Sequence, residues 1–498
     1  MNMKRKMFRK LLASLLAASM VVSMAACGNE DEESRGGDSA TPSSETPSSE
    51  AQPSEETPSD SAEPSEEEDL GAYTIRTDAD GNKIDLGGIH IVVRDWSTDP
   101  NAEVTQTAFG DARDAYREWL QETYNFTLEQ KAISTWESVS EDFANYVTEG
   151  GDDNYYLFFV KKGPEAQAAM KNGLMYDLNT IEGLDLGNEK WHQGVNEMFS
   201  LGDKTYGMRY NEGIGGRGVY FNKRILKDAG IEPDDLYKWQ AAGEWTWEKF
   251  EEVCAKVQQD NDNDGVPDVY GMACRDTIWY EIIVHTNNGN FIDMDENGNL
   301  VNALETSETM EALNWALDIW TKYDAHLSYP SDANWDYFLT AYKEGKGCFY
   351  PGELWRASEL TSSMDDELGF VCFPKGPKAD DYVNPVADDP CVIPACYDAE
   401  KAWKIAFAYD LWTEPVPEFE DYATWKVSGY NDFDDTESVD DTVSFLMSHP
   451  KTTYNVIVGE INLADDIFYQ IKKENTAAQI AETVRSAWQA KLDAVNNQ

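Results

Sequence analysis

The sequence predicts an α/β protein built on a parallel sheet, and two observations carry that prediction. From residue 87 onward, short β-branched or aromatic runs alternate with segments whose apolar residues recur at helical spacing. Setting aside the first 70 or so residues, the chain leaves room for two or three domains at roughly 100–200 residues each.

The first strand is predicted over residues 87–96, where Ile89, Ile91, Val92 and Val93 form a β-branched run. A helix follows over residues 111–124, with Ala112, Ala115, Tyr116, Trp119, Leu120 and Tyr124 on one face. Residues 125–129 read as a second strand, a helix runs through Phe143 and Val147, and residues 155–160 are an apolar third strand. Strand, helix, strand, helix, strand is the rhythm of a parallel sheet covered on both faces. Ligands of such sheets bind at the carboxyl ends of the strands, which places Arg94, Asp95 and Trp96 at a binding edge. A short helix over residues 163–172 and a turn with a small strand over 173–178 come next. Gly213, Gly215, Gly216 and Gly218 then lead into another strand. No Lys-Ser or Lys-Thr follows them and no helix opens there, so they read as a flexible loop crossing between lobes and not as a phosphate cradle.

The N-terminus has a different character. Lys4, Arg5, Lys6, Arg9 and Lys10 precede an apolar run over residues 11–24, the layout of a secretory signal peptide. The run is shorter than the ~20 residues a spanning helix requires. Met24-Ala25-Ala26-Cys27 resembles the lipobox of bacterial lipoproteins, which implies that residues 1–27 form a lipoprotein signal with Cys27 lipidated. Acyl chains there would hold the protein to the outer face of the cytoplasmic membrane without spanning it. Residues 28–70 are Ser, Pro, Thr, Glu and Asp with almost nothing apolar, a disordered acidic spacer. Forty such residues reach about 35 Å, more when self-repelling.

Acidic residues number 93 against 40 basic ones, a formal net charge of −53. That balance disfavours nucleic acid as a partner. Beyond Cys27, the six cysteines are irregularly spaced; Cys391 and Cys396 are the nearest local pair, and buried free thiols are the reading for the rest. The five histidines show no paired ligand spacing, and neither a GxSxG elbow nor a P-loop occurs. The chain therefore reads as a binding protein and not an enzyme. A secreted carbohydrate-active enzyme and a glycan-binding surface protein without a transporter are the alternatives.

Three blocks together resemble family 1 extracellular solute-binding proteins. They are Val219-Tyr220-Phe221-Asn222-Lys223-Arg224-Ile225-Leu226-Lys227-Asp228-Ala229-Gly230-Ile231, Glu244-Trp245-Thr246-Trp247-Glu248-Lys249-Phe250, and Asp260-Asn261-Asp262-Asn263-Asp264-Gly265 through Gly271. Phe349-Tyr350-Pro351-Gly352-Glu353-Leu354-Trp355 and Lys401-Ala402-Trp403-Lys404-Ile405-Ala406-Phe407 agree with them. The resemblance implies a periplasmic-binding-protein-like type II fold: two α/β lobes, hinge crossovers, and a ligand cleft between the lobes. It also implies a monomer that delivers a sugar or oligosaccharide to the permease of an ABC transporter. Matching blocks put the crossovers near Tyr210, residues 373–377 and Tyr397. The N-terminal lobe then comprises residues 71–209 and 373–397, and the C-terminal lobe residues 210–372 and 398–498.

Sugar rings stack on aromatic planes while carboxylates, arginines and amides bond their hydroxyls. Trp355 is a ligand-stacking candidate because the resemblance carries it over from the family's aromatic turn. Trp96, Trp279, Asp95, Arg217, Glu353 and Asp389 are candidates on their positions in predicted loops, with a core or rim place as the alternative for each. Trp119, Trp315 and Trp320 lie at helical spacing and read as core. Asp260, Asp262, Asp264, Gly265 and Asp268 match positions one, three, five, six and nine of an EF-hand-like loop. The twelfth position is Gly271, so a calcium ion and a solvated, glycine-turned loop both stand as readings. No cofactor is otherwise implied. Residues 293–299 read as a hairpin turn.

Overall fold

A computed structural model describes residues 73–497 apart from 79, 100–106, 212–214, 297–298, 330–333, 335, 387, 421–423, 457, 459–460, 472 and 474. The signal segment, Cys27, the acidic spacer and Gly213 lie outside the described residues. Among those described, no helix is long and apolar enough to cross a membrane.

The first lobe follows the predicted rhythm. Strand β1 (Ile89–Asp95) leads to helix α1 (Ala108–Tyr124), β2 (Phe126–Ala132), α2 (Val139–Thr148), β3 (Tyr155–Phe159), α3 (Pro164–Lys171) and α4 (Gln193–Met198). The Thr107 hydroxyl accepts from the Gly110 amide and so starts α1; Asn125, in the left-handed region at φ 53°, ends it. β1 lies parallel to β2 and β3, with Ile91 opposite Leu128 and Tyr155. Alternation along the strands separates two cores. Ile89, Ile91, Val93, Leu157 and Phe159 pack with Tyr116, Leu120 and Tyr124 of α1. Phe158 and Val160 pack with Phe143 and Val147 on the other face. Each large side chain so buried contributes about 2 kcal/mol of transfer free energy. Residues 173–178 hold one isolated bridge, Met175 to Pro394, where the sequence suggested a strand.

The second lobe is built on β4 (Arg217–Asn222), α5 (Trp247–Val257), β5 (Tyr270–Met272), α6 (Asp276–Thr286), β6 (Gly347–Glu353) and β7 (Leu368–Val371). Its sheet has the order β7-β4-β6-β5, with β4 antiparallel to both neighbours and β5 parallel to β6. Phe250, Val253, Cys254 and Val257 give α5 its buried face. Gly218 lies inside β4 and not in the preceding loop; a Cβ there would stand 2.5 Å from the Phe370 ring and 2.7 Å from the Val371 carbonyl. The hairpin expected at residues 293–299 joins strands Ile292–Met294 and Leu300–Asn302.

The return path differs from the expected one. The segment from Phe373 to Tyr382 stays in the second lobe: the Lys375 amide donates to the Trp245 carbonyl, and Phe373 and Tyr382 join that lobe's core. The chain re-enters the first lobe after β8 (Asn384–Val386), as β9 (Cys391–Val392), an antiparallel edge strand on β3. Helix α7 (Ala399–Trp412) then covers the first lobe, where Ala402, Ile405, Ala406 and Tyr409 pack on the core beneath β1. The boundaries at 373 and 398 are therefore corrected: residues 373–386 belong to the second lobe and residues 391–419 to the first. Tyr397 is no crossover, since it is buried in the first lobe with its hydroxyl 2.9 Å from that of Tyr146. The local pattern of α7 carries no mark of which lobe it serves, and block matching assigned it to the wrong one.

The last crossover leads to α8 (Thr424–Asp432) and, through β10 (Pro450–Thr452), to α9 (Ala477–Asn496), which packs on the second lobe through Trp488 and Leu492. All six described cysteines are free. Cys391 and Cys396 do not pair: Cys391 is buried in β9, whereas Cys396 lies past the strand against the backbone of Gly151.

Candidate functional site

Topology brings the crossovers to one edge of each lobe's sheet. Cys391, the first residue of β9, stands opposite Phe159 at the carboxyl end of β3. Arg217, the first residue of β4, stands opposite Glu353 at the carboxyl end of β6. The crossovers therefore leave from the carboxyl ends of the parallel strands in each lobe. These are the edges at which open α/β sheets bind ligands.

On the first-lobe edge, Asp95 ends β1. Its Oδ1 accepts from the amides of Ser97 (3.3 Å) and Thr98 (3.2 Å), and its Oδ2 accepts from Gln130 Nε2 at 2.6 Å and from the Thr98 hydroxyl. With both oxygens engaged and the residue buried, Asp95 shapes the loop that carries Trp96 and has no oxygen to offer a ligand, which corrects its expected role. Trp96 meets Trp136 edge-on, with ring centroids 5.0 Å apart. Trp136 is 40% exposed, and Lys161 Nζ stands 4.7 Å from its ring centre. Asp389 Oδ1 accepts from the Lys162 amide at 2.8 Å, with Lys162 Nζ 3.7 Å away. Burial raises the Asp389 carboxyl above its ordinary range, against the lowering influence of Lys162. Arg209 faces Asp388 at 3.7 Å.

On the second-lobe edge, Glu353 lies 3.5 Å from Arg356 Nε and 3.9 Å from an Arg275 nitrogen. Trp355 is 66% exposed, with the Arg356 guanidinium carbon 4.3 Å from its ring centre. Arg217 pairs with Glu281 at 3.3 Å. The arrangement offers a flat, cation-backed aromatic surface beside charged hydrogen-bonding groups on each edge.

Trp279 is a correction. It sits on α6, 0% exposed, with its indole nitrogen donating to the Ala316 carbonyl at 2.9 Å and its ring against Phe250, Trp315 and Phe373. The segment read as a loop is a helix buried nearly all round, so position alone misplaced it. Trp136, Lys161 and Arg356 were missed. Trp136 follows β2 as Trp96 follows β1, and the strand-end rule that selected one selects the other.

In the loop between α5 and β5, carboxylate oxygens of Asp260, Asp262 and Asp268 lie within 4.8 Å of one another. Asp264 is not in that group; its Oδ1 accepts from the Val266 amide at 2.8 Å, as Asp260, Asp262 and Asp268 accept other amides of the loop.

The model for the bacterial extracellular solute-binding protein family matches residues 107–430, well over half of the chain. A comparison with curated proteins finds no match. Among solved structures, a cyclo/maltodextrin-binding protein complexed with maltotetraose is 13% identical, covers 81% of this chain and 97% of its own, and superposes with a TM-score of 0.57. The cyclic alpha-maltosyl-1,6-maltose binding protein of Arthrobacter globiformis is 14% identical, with coverage of 82% and 99% and a TM-score of 0.55. UgpB of Mycobacterium tuberculosis, in complex with glycerophosphocholine, is 14% identical, with coverage of 77% and 95% and a TM-score of 0.55. The chain belongs to the bacterial extracellular solute-binding protein family and has the two-lobed, type II periplasmic-binding-protein-like fold.

Proposed function

We propose that the protein captures a sugar or short oligosaccharide between its lobes and passes it, chemically unchanged, to the permease of an ABC transporter. The reading rests on the aromatic pair Trp96 and Trp136 past the strand ends of the first lobe and on the exposed Trp355 past β6 of the second, the two edges from which the crossovers leave. Sugar C–H faces stack on such planes, and charged groups beside them, such as Glu353 and Arg275 near Trp355, suit the hydroxyls. The maltotetraose and cyclic maltosyl-maltose bound by two neighbours of the same fold support this ligand class. The protein acts as a monomer tethered through lipidated Cys27, with the acidic spacer holding the lobes clear of the membrane. The Asp260 loop, outside the cleft, is the place for a calcium ion held by Asp260, Asp262 and Asp268.

Thermal-shift and product analysis test the reading together. The expected outcome is a saturable rise in melting temperature with one class of oligosaccharide and full recovery of uncleaved sugar. A shortened product would favour a carbohydrate-active enzyme; stabilisation in a protein whose gene has no permease genes beside it would favour a transporter-independent glycan binder.

A further inference from the structure

A cavity of about 270 Å³ lies at the side of the first lobe and shares no lining residue with the two binding edges. Two parts of the chain that hinge motion must move relative to one another build it, the first lobe and Trp425 beyond the last crossover. The first turns of α1 and the end of α7 supply Phe109 and Trp412 from the first lobe. Tyr210 and Asn211, which pair with Trp191 and Lys190, and residues 414–416 and 419, with Val416 in the first-lobe core, add to that side, and Glu420 opens the last crossover. Trp425, on α8, comes from the second lobe.

The walls are aromatic and the floor is polar. Phe109 and Phe419 meet edge-on at 5.8 Å, and the Arg117 guanidinium lies 4.3 Å from the Trp412 ring centre. At the floor, Glu414 is fixed by Lys190 Nζ at 2.8 Å and by Arg76, and Lys190 in turn reaches Asp410 at 2.8 Å. Three cationic lining residues, Arg113, Arg117 and Lys190, balance three anionic ones, Glu189, Glu414 and Glu420, so a free ion gains little there. Aromatic faces above fixed hydrogen-bonding groups suit a neutral ring with an apolar face and a hydroxylated rim. The volume lies just below the usual range for drug-sized ligands, room for one ring and not for a chain of them.

We infer that this cavity is a second binding pocket, for a single neutral sugar ring or cyclic polyol, and that its occupancy is coupled to lobe closure. The coupling follows from its construction: closing the lobes displaces Trp425 relative to Phe109 and Trp412, so a ligand in the pocket binds the open and closed forms unequally. By linkage, a ligand in the pocket changes the affinity of the interlobe cleft by the same factor as the cleft ligand changes that of the pocket. The inference does not depend on what the cleft binds.

The test uses the full chain labelled with 5-fluorotryptophan and read by fluorine NMR, with the Trp412 and Trp355 signals assigned through Trp412→Phe and Trp355→Phe. The probes are D-glucose, D-galactose, D-mannose and myo-inositol, each titrated to its solubility limit. The expected result is a saturable shift of the Trp412 signal that persists in Trp355→Ala and vanishes in Asn211→Phe, whose ring fills the cavity. An unchanged melting temperature shows that Asn211→Phe remains folded; Val416→Phe serves if it does not. A Trp412 signal unmoved by every probe, or moved equally in the filled variant, overturns the pocket. An unaltered cleft affinity at saturating pocket probe overturns the coupling.

Discussion

Met208 and Cys391 exchange both backbone hydrogen bonds, the Met208 amide donating at 3.0 Å and the Cys391 amide at 2.7 Å. The outgoing and returning crossovers thus run side by side as a two-stranded joint at the first lobe. At the second lobe the joint is closed by Asn384, whose Oδ1 accepts from the Arg217 amide at 3.4 Å and whose Nδ2 donates to the Leu446 carbonyl at 3.2 Å. A joint of this kind concentrates any change in backbone angle into the few residues between these anchors.

Met208→Pro removes one of the paired amides and leaves the Cys391 carbonyl without its donor. The expected cost is about 1–3 kcal/mol for one buried unsatisfied group, together with about 2–5 kcal/mol for the buried Met208 side chain. Ligand affinity should fall further than stability does, because the joint sets how the two edges meet. Chemical denaturation and calorimetric titration on the same samples check this; an unchanged dissociation constant would separate the joint from binding.

Trp355→Ala and Trp136→Ala should each leave the melting temperature of the ligand-free protein unchanged and remove most of the ligand-induced rise. For the unaltered protein that rise corresponds to about 2.7 kcal/mol at a hundredfold excess of ligand over Kd. Trp279→Ala should do the reverse, costing about 3–5 kcal/mol of stability while the folded fraction keeps its affinity. The three substitutions distinguish stacking surface from core, with thermal shift as the common readout.

That contrast shows where the sequence was legible. Short β-branched and apolar runs placed β1, β2 and β3, and helical spacing placed the buried face of α1, because both patterns are local. The lobe that α7 covers, and the burial of Trp279, depend on which distant segment packs against them, which no local period encodes. Asp95 was found at the right sheet edge and given the wrong task, since its bonds to Ser97, Thr98 and Gln130 are tertiary. Trp136 was legible by the same strand-end rule and was passed over.

His285 supplies a pH dependence. Burial, seconded by nearby Lys451, holds its imidazole down at about 3 from an ordinary 6.5. Between those values the unfolded chain binds a proton that the folded protein does not, so stability is complete above pH 6.5 and is lost as pH falls toward 3. This one group contributes a slope of up to about 1.4 kcal/mol per pH unit. Denaturant unfolding across the range should show a shallower slope in His285→Gln.

Calcium should raise the melting temperature in a saturable manner, and Asp262→Asn should weaken that rise, since Asp262 is one of three carboxylates with oxygens within 4.8 Å. Asp264→Asn should weaken it less, because Asp264 lies outside that group of three. Equal behaviour of the untreated and chelator-treated protein would remove calcium from the account.

The most direct test of capture between two closing lobes is small-angle scattering of the chain during titration with malto-, cello-, manno- and xylo-oligosaccharides. The account predicts a saturable decrease in radius of gyration with one series, at a midpoint that matches the calorimetric Kd. A scattering curve that stays the same through every titration would contradict it.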